Sequence, residues 1–149
     1  QMCIRDRVIG AAGRVTAVMT GVPVVASSYT TVNSTSFALL PAPSTTATVT
    51  GTVSPTAATV RALQTLSGGP TVEAAWATVD ADTGLFSATL PTQAPVKTAY
   101  VPNATTAYTF TPDAAVAGQY TLEAAYAGMT RTRSVNTASL TTPIAFTLP

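Results

Sequence analysis

Residues 76–90, WATVDADTGLFSATL, constrain the fold of this chain more than any other stretch, because apolar and polar side chains alternate beside a compact acidic turn. Phe86, Ala88 and Leu90 fall on one face of the second half, and the residues between them fall on the other. The turn at 80–84 consists mainly of Asp, Thr and Gly, and tight turns favour Asp and Gly. We therefore expect two short strands that bury one face, as in a β-sandwich.

The same period of two recurs elsewhere, and no segment shows the spacing of an amphipathic helix. Thr and Val, whose β-branched side chains favour strands, are abundant. We predict an all-β fold with strands at 46–53, 58–66, 72–79, 85–90, 118–127, 129–135 and 144–148. The predicted inward residues, besides those of the hairpin, are Val49, Gly51, Val53, Val60, Ala62, Tyr120, Leu122, Tyr126, Ile144, Phe146 and Leu148. Segment 129–135 has no apolar face, which is typical of an edge strand.

Charge and residue inventory exclude several classes of function. The net charge is +1 and the seven basic residues are scattered, whereas nucleic-acid binding needs a basic patch. The chain has no His and one Cys, so zinc sites, Ser-His-Asp triads and Cys-His pairs cannot form within it. No apolar run is long enough to cross a bilayer, and we expect no membrane insertion.

The first seven residues differ from the rest of the chain. QMCIRDR is richer in charge than anything that follows, and the string MCIRDR resembles a translated sequencing-adapter remnant. We interpret residues 1–7 as a non-native artefact and leave them out of the fold prediction. On that interpretation the natural N-terminus is missing, together with any signal peptide.

Two segments of the chain resemble each other. The segment from Gly13 reaches SFALLP through a Thr/Val strand, and the segment from Gly128 reaches IAFTLP in the same way. We therefore predict that 8–40 are the last two strands of a truncated preceding repeat, followed by a linker that ends at 45 and a complete module at 46–149. Strands without their sandwich expose unpaired backbone groups, so they must pair with the complete module or with a neighbouring chain.

The order of the strands resembles a known family. TVTGTVSP, ATVRALQ, ATVDADTGLFSATLP, AGQYTLEAAYAG and IAFTLP follow one another as in the carboxypeptidase regulatory-like family, a seven-stranded transthyretin-like (Ig-like) β-sandwich. The matching positions, with one extra residue in the hairpin turn, are Gly51, Val53, Thr78, Asp80, Gly84, Phe86, Gly118, Tyr120 and Leu122. The resemblance implies a non-catalytic accessory module, often in tandem, of secreted or surface proteins. Residues 92–117 replace the family's short connection, and their VKTAYV and TAYTFT segments predict an added hairpin.

The acidic turn is a candidate calcium site. Asp80 and Asp82, with Thr83 and Gly84, could offer oxygen ligands, although the later acidic ligand of a full calcium loop is missing. The competing interpretation is that Asp and Gly form the turn itself, because Asp accepts hydrogen bonds from nearby N–H groups and Gly tolerates positive φ. The turn interpretation is the simpler one, and we predict no required cofactor.

Large aromatic residues are candidates for stacking against a sugar. Trp76 lies mid-strand and is expected in the core, whereas Tyr100 and Tyr108 lie in the insertion and are expected to be exposed. A carbohydrate site would use these three residues.

Two weaker patterns remain. Glu73 and Glu123 are the only glutamates, and a carboxylate pair could hydrolyse glycosides, but both occupy predicted outward positions with no cleft. Asn33 and Asn103 begin N-glycosylation sequons, which arise easily in a Thr-rich chain.

We predict a non-catalytic structural or adhesive module of an extracellular or cell-surface protein, of bacterial origin, and not an enzyme. Two alternatives stay open: a carbohydrate-binding module, and a filament subunit that assembles by strand exchange between chains. The expected partners are neighbouring modules or further copies of the chain, with glycans in the first alternative.

Overall fold

A computed structural model describes residues 3–9, 15–24, 45–102, 108–140 and 143–149. Apart from one short 3-10 helix at Ala114–Val116, the regular structure in these ranges is β-strand, which confirms the all-β prediction. The strands are β1 Cys3–Ile9, β2 Ala17–Val24, β3 Thr46–Ser54, β4 Thr59–Thr65, β5 Thr71–Trp76, β6 Thr78–Val79, β7 Leu85–Pro91, β8 Val96–Ala99, β9 Thr111–Pro112, β10 Gln119–Tyr126, β11 Met129–Asn136 and β12 Ile144–Thr147. A helix able to span a membrane does not occur in the ranges described.

The strands form three four-stranded sheets. Sheet I has the order β12-β3-β7-β6, sheet II has the order β11-β10-β4-β5, and sheet III has the order β1-β2-β8-β9. Neighbours in sheets I and II pair antiparallel, except that β12 runs parallel to β3. Sheets I and II pack face to face around a shared core and form the β-sandwich.

The core of the sandwich consists of the alternate side chains that the sequence places inward. Phe86 of β7 and Phe146 of β12 lie with their ring centroids 6.1 Å apart, and both are buried. From sheet II, β4 and β10 contribute buried Val60, Ala62, Tyr120, Leu122 and Ala124. One inward assignment is wrong: Tyr126 keeps the predicted parity, but it ends β10 beyond the core and is 37% exposed.

Two glycines allow backbones to approach each other closely. A Cβ at Gly51 would collide with the backbone oxygen of Ile144 and the ring of Phe86, so a side chain would disturb the pairing of β3 with β12. Gly84 has φ +70°, and a Cβ there would collide with the carbonyl oxygen of Val53. Both positions require glycine for steric reasons.

Strand β11 lies at the edge of sheet II, as predicted. Arg131 and Arg133 pair with Ala124 and Leu122, so the arginines occupy the face of the sheet that carries the core, yet they are exposed. Charged residues on such a face discourage pairing with a further strand.

Sheet III joins the two parts of the chain that lie outside the sandwich. The insertion contains a hairpin, β8 with β9, but β9 has only two residues and overlaps the predicted TAYTFT segment only at Thr111. Strand β2, from the segment predicted to be a truncated repeat, pairs parallel with β8 of the same chain. Val18 of β2 packs against Leu66 and Val72 in a second, smaller core. Residues 25–44 lie outside the described ranges, so the second predicted strand of 8–40 is not described.

Strand β1 overlaps residues 1–7, which the sequence analysis left out of the fold. The structure pairs β1 antiparallel with β2, so this segment forms a strand of sheet III. The non-native origin of these residues stays a prediction.

Candidate functional site

The chain's one Trp lies on the outer face of sheet II. Val72 is buried, and Trp76 is four residues further along β5, so regular alternation places both on the inner face. Trp76 is instead 55% exposed. The expectation that it is a core residue is therefore wrong.

A β-bulge explains the outward position of the tryptophan. Glu73 pairs with Leu63, but the next pair toward the end of β5 is Ala75 with Ala62. Ala74 is the extra residue, and beyond it the two faces of β5 are exchanged. Bulges are frequent next to functional sites, where they redirect a side chain.

The tryptophan belongs to a group of four side chains, Arg61, Glu73, Trp76 and Glu123, which we name the Trp76 cluster. The Cζ atom of Arg61 lies 5.8 Å from the centroid of the Trp76 ring. The indole Nε1–H of Trp76 donates a hydrogen bond of 2.6 Å to Glu73 Oε1. Arg61 connects the two glutamates: its Nη1 lies 3.2 Å from Glu73 Oε2 and its Nη2 lies 2.7 Å from Glu123 Oε1.

Ion pairing keeps the charges of the cluster in place. Hydrogen bonds to Glu123 and then Glu73 raise the pKa of Arg61. With two ionised carboxylates and one guanidinium, the cluster carries a net charge of about −1 at neutral pH. The cluster therefore carries one negative charge in excess, and both carboxylates are engaged by Arg61.

The arrangement of the two glutamates suits binding better than hydrolysis. Their predicted outward placement on β5 and β10 is confirmed. Glycoside hydrolysis needs an acid and a base on opposite sides of a bond, with room for the sugar between them. Here the guanidinium of Arg61 bridges the two carboxylates. What the cluster offers is an exposed aromatic ring beside hydrogen-bonding groups.

The acidic turn is closed by its own side chains. Asp80 Oδ1 accepts hydrogen bonds from the backbone N–H groups of Asp82 (3.1 Å) and Thr83 (2.8 Å), and from the Thr83 hydroxyl (2.8 Å). The Thr83 hydroxyl and its backbone N–H lower the pKa of Asp80. These contacts agree with the turn interpretation, and within the described ranges no group of three or more His, Cys, Asp or Glu residues could hold a metal ion. The calcium site at Asp80 and Asp82 remains a prediction.

The two tyrosines of the insertion bond to residues in or next to sheet III. Tyr100 follows β8, and its backbone N–H donates to Thr20 O at 2.9 Å. The Tyr108 hydroxyl donates to Val101 O at 3.4 Å. Both tyrosines are half-buried, so the expectation that they are more exposed than Trp76 is wrong. The sequons at Asn33 and Asn103 lie outside the described residues.

A buried carboxylate that the sequence analysis did not single out joins the insertion to the sandwich. Asp113, 5% exposed, accepts hydrogen bonds of 2.8 Å from the backbone N–H and the hydroxyl of Ser67, and its Oδ2 lies 3.1 Å from Lys97 Nζ. Burial raises the pKa of Asp113, but the bonds from Ser67 and Lys97 lower it further, so that it lies below the usual value. Asp113 therefore has a structural role, because it connects the insertion to the sandwich.

Arg61 was also missed, although part of the signal was present. Its neighbours Val60 and Ala62 were predicted to face inward, which places Arg61 outward. Its partners depend on the order of strands in sheet II, which sets β4 between β5 and β10. That order cannot be read from the alternation within one strand.

Comparison with protein-family models, with curated proteins and with solved structures found no match to this chain.

Proposed function

We propose that this chain is a non-catalytic structural or adhesive module of a secreted or cell-surface protein. The observation that carries the proposal is that four of the chain's six acidic side chains are engaged in structural contacts. Asp80 closes a turn, Asp113 joins two loops, and Glu73 and Glu123 share one guanidinium. Each is bound to a structural partner, whereas a catalytic acid or base must be free to exchange protons with a substrate.

The open cleft beside β10 and β11 supports the same proposal. Its volume is about 620 Å³, and it is lined by Gln119, Arg133, Asn136, Leu140, Ile144 and neighbouring residues. Among the lining residues that the structure describes, none is Asp, Glu, His or Cys. The cleft therefore lacks the groups that general acid–base and covalent catalysis use most often.

The transthyretin-like type of the sandwich is part of this proposal. Only Ala77 separates β5 from β6, so one extended segment contributes a strand to each sheet. Counted as a single segment, these two strands leave seven strand segments in sheets I and II, the number that the family resemblance implies. The secreted or surface location, the bacterial origin and the tandem arrangement follow from the same resemblance.

The proposal is tested by a hydrolysis screen with the purified chain. We expect no turnover of glycoside, ester or peptide substrates above the buffer rate, together with a single cooperative unfolding transition. Glu123→Gln and Glu73→Gln are the matched variants, because each removes one carboxylate from Arg61. Turnover that survives repurification and is lost in either variant contradicts the proposal.

We propose assembly by strand exchange as a second candidate function, in which the pairing of β2 with β8, seen here within one chain, would form between two chains. Strand β2 buries Val18 and Met19 but pairs with the insertion strand β8, outside sheets I and II. The same pairing between two chains would preserve every contact of β2. Light scattering tests it: a mass that rises with concentration supports exchange, and a monomer at all concentrations contradicts it.

A further inference from the structure

Most outward positions around the Trp76 cluster carry small or polar side chains. The outer face of sheet II presents Thr59, Thr65, Thr121, Thr130, Thr132 and Ser134. Leu63 and Trp76 are large apolar side chains on this face, but Leu63 is half-buried, whereas Trp76 is 55% exposed. Solvent exposure of a ring this large forgoes the stability that its burial would provide. The bulge at Ala74 is what keeps the ring in solvent. Because a bulge in β5 keeps Trp76 exposed, we infer that this residue has a role other than core packing.

The ring is held in one orientation before any ligand arrives. Glu73 accepts the indole N–H at 2.6 Å, and Arg61 lies against the ring at 5.8 Å from its centroid. Arg61 is itself held by Glu73 and Glu123. A ring that is already ordered loses little side-chain entropy on binding, and such preorganisation favours affinity.

The cluster forms part of a straight row across sheet II. Trp76 pairs with Arg61, Arg61 with Glu123, and Glu123 with Thr132, so the row crosses all four strands. At the usual spacing between strands the row is about 14 Å long. An aromatic ring at one end is thus followed by a guanidinium, a carboxylate and a hydroxyl, a series that matches the apolar face and hydroxyl groups of a short oligosaccharide.

We propose that the Trp76 cluster is a binding site for a neutral polysaccharide, with a pyranose ring stacked on Trp76 and adjacent sugars hydrogen-bonded to Arg61 and Glu123. Anionic ligands are disfavoured by the excess negative charge, and cationic ligands are disfavoured because both carboxylates already pair with Arg61. This inference rests on the proposed adhesive function, for which it names the ligand.

Intrinsic fluorescence tests the site directly, because Trp76 is the only tryptophan in the chain. The probes are cellohexaose and chitohexaose in solution, and insoluble cellulose and chitin. We expect at least one sugar to shift the emission in a saturable way and to protect Trp76 from acrylamide. No spectral change with the soluble probes, together with no retention on the insoluble ones, overturns the inference.

Retention on the insoluble polysaccharide identifies the contact residue. Trp76→Ala should weaken retention on the order of tenfold or more, as loss of one stacked aromatic contact predicts. Leu85→Ala is the matched control, because Leu85 is 56% exposed on β7 of sheet I. Equal retention of wild type and Trp76→Ala overturns the inference, as does retention that disappears in molar sodium chloride.

The outcomes separate this site from the proposed function. A chain that is inert, folds cooperatively and binds none of the probes loses the sugar site but keeps the structural module. Hydrolysis of the hexasaccharides that is lost in Glu123→Gln overturns the module proposal instead. An unchanged melting temperature of Trp76→Ala shows that weaker retention reflects the site and not unfolding.

Discussion

Replacement of Asp113 by Ala should destabilise the chain by removing the joint between the insertion and the sandwich. Asp113 accepts two hydrogen bonds of 2.8 Å from Ser67 and lies 3.1 Å from Lys97 Nζ. Hydrogen bonds to a charged group contribute about 1.5–3 kcal/mol each, and in the variant Ser67 and Lys97 regain part of this from water. We therefore expect Asp113→Ala to lower the free energy of unfolding by about 2–3 kcal/mol. Asp113→Asn, which keeps one acceptor oxygen, should cost less.

The pH dependence identifies the carboxylate as the cause. The pKa of Asp113 in the folded chain lies below its unfolded value, so its contribution is present above the unfolded pKa and is lost as the pH falls through the folded pKa. Urea unfolding at pH 7 and at successively lower pH should show the gap between wild type and Asp113→Asn closing below about pH 4. A gap that is the same at all pH values, or a loss below about 0.5 kcal/mol for Asp113→Ala, refutes this reasoning.

Three further changes test the sandwich itself. Phe86→Ala empties a position that is 2% exposed in the core and should cost about 3–5 kcal/mol in urea unfolding; a loss under about 1 kcal/mol contradicts the core assignment. Gly84→Ala should lower the melting temperature more than Gly68→Ala, because both have positive φ but only Gly84 lacks room for a Cβ; equal effects contradict the steric argument. Burial raises the pKa of Tyr120 to about 12, so an ultraviolet pH titration should show a phenol ionising near that pH, and Tyr120→Phe should remove that step; an unchanged titration contradicts it.

Local patterns predicted most of the sandwich because each strand carries its own alternation. The inward positions of Phe86, Leu122 and Phe146 needed only the period of two and the rule that apolar side chains are buried. The edge position of 129–135 followed from its lack of an apolar face. The candidate site was harder to predict from the sequence. Its carboxylates were noticed as a pair, but Arg61, which joins them, became visible only when β4 lay between their two strands.

The amino-acid sequence by itself determined the all-β class, the buried faces and the acidic turn, because strand propensity, alternation and turn chemistry act over a few neighbouring residues. Only the tertiary structure decided where Trp76 lies. One extra residue in β5, Ala74, exchanges the two faces of the strand, and its presence shows only in the pairing with β4. The pairing of β2 with β8 likewise joins segments that are distant in the chain. Unpaired backbone groups at a strand edge bond to the strand that the tertiary fold places beside them, which local patterns do not reveal.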